Sequence, residues 1–253
     1  MAVLTPGHPG VPATRSRVLV LGHGGVRGPH MNTLEAFAQA LREGADGFEI
    51  DVRLTADRRL VALHDPVFEA GGRAYAVSEL TLAEIRRLHP LGGRVATLDE
   101  ALAQHPEAIV AVDAKTPRAA EEAAALLARE SRLGNAILSG DSYRVLAAAR
   151  RVEPGLRLGY SLVSLRSLAA LPFVAAALRV YAVHAPLDGV EVIGLGAYRA
   201  LLRASRAAGL RVAVWSWRVR EEEFLPLLAG LYDVVIADRP GAAARLLEGL
   251  GLR

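Results

Sequence analysis

Between Gly44 and Pro66 the chain reads GADGFEIDVRLTADRRLVALHDP, and there Glu49, Asp51 and His64 are the polar side chains that a strand pattern places inside. Glu49 and Asp51 are two residues apart, so on a strand they share one face, while Phe48, Ile50 and Val52 take the other. Two carboxylates on the buried side of an apolar strand are costly unless they bind a cation or find donors. The stretch from Asp51 to Val61 is too short for a parallel crossover, which needs about a dozen residues or more. It therefore reads as a hairpin (about 52–64) with Asp57 at its turn, and the return strand brings His64 beside the carboxylates. Asp113 and Lys115 repeat the two-residue spacing. Three carboxylates, Glu49, Asp51 and Asp113, in a chain without cysteine describe an oxygen-ligand site for a divalent cation, Mg²⁺ or Ca²⁺. With the cation bound, that cluster keeps about one negative charge, so an anionic substrate needs a local cation, which Lys115 supplies. All but one of the 30 basic residues are arginine, and Lys115 is the exception. His23 and His64, as imidazoles, exchange protons near neutral pH. Carboxylates, lysine and a histidine pair are the parts of metal-assisted phosphodiester cleavage.

The elements that must position these groups follow from apolar runs and their punctuation. Strands are expected at 18–23, 46–51, 108–113, 135–139, 156–160, 179–184, 210–215 and 233–237, nearly all separated by helical patterns. Asn32 with Glu35 resembles a capping box opening the first helix, and Gly44 stops it. A short excursion (about 66–95), with a helix capped by Thr81 and Glu84, lies over one end of the fold. Eight βα units in this length predict an α/β fold, a single (β/α)8 TIM barrel, with an open doubly wound sheet as the alternative. A barrel demands that chemistry sit where strands end, and those ends carry His23, Glu49 with Asp51, Asp113 with Lys115, Ser139, His184, Trp215 and Asp238. Residues 1–17 read as an N-terminal tail and 18–253 as the barrel domain.

Composition excludes several classes. The chain has 253 residues and a net charge of only +3 without a basic run, which argues against nucleic acid as a partner. The longest apolar run, Ser167 to Leu178, is broken by Pro172 and falls short of the roughly 20 residues of a membrane span. The tail lacks the apolar core of a signal peptide, and the expected location is cytoplasmic. Oligomeric state has no signature in the sequence.

The central stretch resembles the motif G-A-D-G-x-E-x-D-V-x-L-T-x-D…H-D of the glycerophosphodiester phosphodiesterases, within the PLC-like phosphodiesterase barrels. GH at 22–23, NTLEAF at 32–37, VDAKT at 112–116, VWSW at 214–217 and VIADRP at 235–240 match further elements of that family. The resemblance implies metal-dependent hydrolysis of a small-molecule glycerophosphodiester to glycerol 3-phosphate and an alcohol. It implies Glu49, Asp51 and Asp113 on the cation, His23 and His64 as general acid and base, and Lys115 on the phosphate. A cyclising lyase and a barrel that only binds a phosphorylated ligand are the alternatives. Departures stand at Gly24, where the family has arginine, at Met31 and Asp113, where it has glutamate, and at Arg218, where it has asparagine. Arg27 or Arg218 is expected to replace the missing guanidinium, and Trp215 to form either rim packing or a wall for the substrate. Plainer readings accompany the rest: Asp113 and Lys115 as a strand-end ion pair, Ser139 and His184 as satisfied polar termini, Asp238 as a loop anchor, Asn32 as a helix cap.

Overall fold

The computed structural model describes residues 17–218 and 220–253, so the expected tail lies outside them except for Arg17. In chain order the first strands are β1 (Leu19–Gly22), β2 (Gly47–Leu54), β3 (Leu60–Ala62), β4 (Val67–Ala70) and β5 (Arg73–Ala76). They are followed by β6 (Ile109–Ala114), β7 (Ala136–Gly140), β8 (Leu158–Ser161), β9 (Ala182–Pro186), β10 (Arg211–Trp215) and β11 (Val234–Ala237). β1 pairs in parallel with both β11 and β2, which closes the sheet in the order β1-β11-β10-β9-β8-β7-β6-β2. The eight parallel strands form a TIM barrel, and the open-sheet alternative is excluded by that closure. Strands buried on both faces explain why these segments read as continuous apolar runs.

The helices cover the outside: α1 (Leu34–Arg42), α2 (Leu82–Leu88), α3 (Leu98–Gln104), α4 (Pro117–Arg129), α5 (Tyr143–Val152), α6 (Leu165–Leu178), the short α7 (Gly189–Ile193), α8 (Leu195–Ala207), the short α9 (Glu221–Phe224) and α10 (Pro240–Gly249). The capping box at Thr81 and Glu84 forms as expected at α2. At α1 it does not. Thr33 is the N-cap, accepting from the backbone N–H of Ala36, and Asn32 precedes it in the left-handed region at φ 58°. Both residues cap helices well, and what separates them is a tertiary contact described below.

Alternation along the strands sorts the barrel interior into layers. Leu21, Ile109, Ile137, Ala182, Ala213 and Ile236 pack together inside the cylinder. Two residues further along those chains stand His23, Ala111, Ser139, His184, Trp215 and Asp238. With a side-chain period of two, the apolar plug is capped by a predominantly polar layer at the C-terminal end. The expected hairpin is present: β3 runs antiparallel to β2, with Val52 opposite Ala62 and Leu54 opposite Leu60. The excursion carries its own hairpin, β4–β5, followed by α2.

Candidate active site

Register brings the acidic groups together. β2 and β6 are neighbours with Glu49 opposite Ala111 and Asp51 opposite Asp113, so carboxylates from two staves meet on one face. Glu49, Asp51 and Asp113 each offer an oxygen within 4.8 Å of the others'. Glu49 and Asp51 are buried and Asp113 nearly so. Lys115 Nζ lies 2.6 Å from Asp51 Oδ1 and 2.5 Å from Asp113 Oδ2. The plainer ion pair is thus present, inside a cluster of carboxylates that could hold a metal ion.

Each carboxylate is held differently. Glu49 Oε2 accepts from the backbone N–H of Gly24 at 3.0 Å, and among the described residues no cation pairs with it. Burial, reinforced by the charge of Asp51, pushes its pKa up to about 8. Asp51 Oδ2 accepts from Asn32 Nδ2 at 2.8 Å, while the Asp51 backbone N–H donates to Asn32 Oδ1 at 3.2 Å. Asn32 is therefore the clamp on Asp51 rather than a helix cap. Burial opposes ionisation of Asp113, but Lys115 and a 2.9 Å hydrogen bond from Ser139 Oγ outweigh it and hold its pKa low. Burial likewise opposes the charge on Lys115, and Asp113, Asp51 and Glu49 raise its pKa in spite of that. Three buried or nearly buried carboxylates sharing one ammonium fit a hard divalent cation, since Glu49 has no ion-pair partner among the described residues and burial disfavours its charged form unless a cation sits beside it.

His23 stands at the end of β1, with Nδ1 2.8 Å from Asp238 Oδ1. Burial alone would lower its pKa, yet the Asp238 hydrogen bond and the charges of Glu49, Asp238 and Asp51 raise it to about 9. Asp238 itself is buried and also accepts from Arg27 Nη1 at 2.6 Å. Its expected part as an anchor extends to orienting the imidazole. His184, buried against Gly159, is pushed down to about 4 by burial. A Cβ at Gly159 would sit 2.5 Å from His184 Nε2, so any larger residue there would have to displace the His184 ring.

His64 departs from its expected inward place. β3 ends at Ala62, and His64 follows in the loop with its side chain 66% exposed and Nδ1 2.8 Å from Asp65 Oδ1. It nevertheless lines the same cavity as His23, Glu49, Asp51, Asp113 and Lys115, whose volume is about 800 Å³. Phe68 and His89 of the excursion also face this cavity. Trp215 lies on the wall with its ring edge-on to His23 at 6.2 Å, and its Nε1 is buried without a hydrogen-bond partner among the described residues. Trp217 packs edge-on against it at 4.8 Å.

The two arginines expected on the substrate are committed elsewhere. Arg27 binds Asp238, and Arg218 donates to Asp188 at 2.8 Å and pairs with Glu191; neither lines the cavity. Arg53 does line it, through the i, i+2, i+4 series Glu49, Asp51, Arg53 on β2. Sequence reading passed over Arg53 altogether and over the clamping role of Asn32. The first is signalled only by strand periodicity, the second only by its place in NTLEAF.

The model of the glycerophosphoryl diester phosphodiesterase family matches residues 21–242. A curated relative, probable glycerophosphodiester phosphodiesterase 1 of Mycobacterium tuberculosis, is 46% identical over 83 residues, which is 32% of this chain and 27% of the relative. The alignment thus spans about a quarter of that relative's length. Among solved structures, the glycerophosphodiester phosphodiesterase of Thermotoga maritima is 27% identical with a TM-score of 0.71, covering 90% of this chain and 98% of that one. A phosphodiesterase of Oleispira antarctica, solved in complex with the product sn-glycerol-3-phosphate, shares the fold at 20% identity and a TM-score of 0.72, covering 92% and 97%.

Proposed function

The chain belongs to the glycerophosphoryl diester phosphodiesterase family, and from that premise we propose that it hydrolyses a glycerophosphodiester to glycerol 3-phosphate and an alcohol. The observation that carries this reading is the convergence of Glu49, Asp51 and Asp113 within one cluster beside Lys115, in a cavity that His23 and His64 also line. A divalent cation, Mg²⁺ or Ca²⁺, held by the three carboxylates would neutralise phosphoryl charge and acidify the attacking hydroxyl.

The side chains divide the remaining work. Lys115 keeps Asp113 ionised and, in contact with both carboxylates, holds Asp51 and Asp113 in place. His23 holds its proton at neutral pH, because Asp238 and the carboxylates favour the imidazolium, and it is assigned as the acid that protonates the departing alcohol oxygen. His64, reachable from solvent at the mouth, accepts the proton of the attacking water. The new P–O bond forms from water, the P–O bond to the alcohol breaks, and one proton moves from each side. Trp215 offers a flat apolar wall beside His23. The Oleispira phosphodiesterase holds sn-glycerol-3-phosphate as its product, which supports the same product class here.

The test is purified protein with glycerophosphocholine and Mg²⁺ or Ca²⁺, followed by ³¹P NMR, with His23→Ala beside it. Metal-dependent release of glycerol 3-phosphate that falls by about 10²–10⁴ in the variant is expected. A persistent cyclic phosphate would replace hydrolysis by the cyclising reaction. Binding without turnover would reduce the barrel to a phosphate-ester receptor.

A further inference from the structure

We propose that Arg53 is the guanidinium that grips the substrate's phosphoryl group, and that the same side chain sets the position of His64. The inference rests on the phosphodiesterase reading above. It starts from charge. The three carboxylates carry three negative charges, and a divalent cation with Lys115 supplies three positive ones, so this cluster is neutral before an anion arrives, and the charge of the neighbouring His23 imidazolium is answered by Asp238. Lys115 is already engaged by two carboxylates at 2.6 and 2.5 Å. An anionic diester, and still more the glycerol 3-phosphate it releases, needs a further cation on the cavity wall.

Among the described residues, Arg53 is the one arginine on that wall. It sits on β2 two residues beyond Asp51, on the strand face that carries Glu49 and Asp51. Its Nε donates to the backbone oxygen of His64 at 2.8 Å. No hydrogen bond or ion pair among the described residues engages its two Nη groups. A guanidinium fixed through Nε with both Nη groups open matches the paired oxygens of a phosphoryl group. Arg27 and Arg218, by contrast, spend their guanidinium groups on Asp238, Asp188 and Glu191. The Nε bond also fixes the backbone of the residue whose imidazole faces the same cavity, so phosphate grip and proton transfer share one support.

Calorimetry with glycerol 3-phosphate in Mg²⁺, run on the wild type and on Arg53→Gln, Arg53→Lys and Arg151→Gln, tests the proposal. Arg151 pairs with Glu121 on the outer helices, so its substitution removes the same charge far from the mouth. Arg53→Gln is expected to bind about ten- to a hundredfold more weakly, Arg53→Lys to fall between, and Arg151→Gln to match the wild type. KM for the diester should rise in step with the loss of affinity. Unchanged affinity for glycerol 3-phosphate in Arg53→Gln, with only kcat reduced, would overturn the grip and leave Arg53 a support for His64. A wild type that binds no glycerol 3-phosphate would overturn it as well. If the wild type fails to turn over the diester while binding still depends on Arg53, the activity reading falls and the grip stands.

Discussion

Replacing Asp238 by asparagine keeps the shape of the side chain behind His23 and removes its charge. In the wild type, Asp238 Oδ1 lies 2.8 Å from His23 Nδ1, and burial would push the imidazole below its ordinary pKa were it not for this carboxylate and its acidic neighbours. Instead the group rests at about 9. A hydrogen bond to a charged partner contributes about 1.5–3 kcal/mol, and each pKa unit corresponds to about 1.4 kcal/mol, so Asp238→Asn should lower the His23 pKa by about 1–2. Glu49 and Asp51 remain and prevent a full return to the value of a free imidazole. ¹⁵N-detected NMR titration of the histidines in metal-free protein reads this directly. Arg27→Ala supplies the opposite perturbation, because it removes a cation that shares Asp238 with His23; there the pKa should rise or hold still. An unchanged His23 in Asp238→Asn, or a fall in both variants, would refute the argument.

The same pair makes a stability prediction whose sign is fixed. The folded pKa of about 9 lies above the unfolded 6.5, so the folded state binds the proton more tightly. That stabilisation is fully present below pH 6.5 and is lost as pH rises through about 9. Urea midpoints of wild type and Asp238→Asn should therefore differ more at pH 6 than at pH 10, with the pH-dependent part of the gap on the order of 1.5–3 kcal/mol.

Three further outcomes follow from the geometry. Glu49, raised to about 8, must lose its proton to take a cation, so thermal stabilisation by Mg²⁺ or Ca²⁺ should grow from pH 6 to pH 9 and vanish in Glu49→Gln. Asn32→Ala removes both hydrogen bonds between Asn32 and Asp51 and should weaken metal affinity by about 10–100-fold in calorimetry, while circular dichroism stays native. Gly47→Ala would place a Cβ 1.8 Å from the Ile109 backbone oxygen at the β2–β6 seam and should cost about 1–3 kcal/mol or more in urea denaturation, whereas Gly93→Ala meets no atom within 4 Å and should change stability by less than about 0.5 kcal/mol.

How much of this was legible beforehand depended on where each residue sits. The barrel strands were readable because burial on both faces leaves uninterrupted apolar runs, and the acids at their ends were readable because a charge ending such a run has few structural uses. Glu49, Asp51, Asp113 and His23 belong to that group, and periodicity alone put them on the inner rim. The expected inward place of His64 assumes that the return strand reaches it, whereas β3 and its pairing with β2 stop at Ala62 and His64 stands in the loop beyond. Asn32 was misread for a different reason. Asn and Thr are nearly equivalent caps, and only the carboxylate of Asp51, nineteen residues away, decides which of them caps and which clamps. The arginines mark the limit. Strand periodicity sets Arg53 in series with Glu49 and Asp51, but it does not tell which of Arg27, Arg53 and Arg218 keeps its donors free, since a guanidinium's role is set by the nearest acid that three-dimensional packing leaves unpaired. Asp238 captures the first and Asp188 with Glu191 the third. Of the three, Arg53 alone lines the cavity, which points to strand β2 rather than the loops as the source of the missing guanidinium.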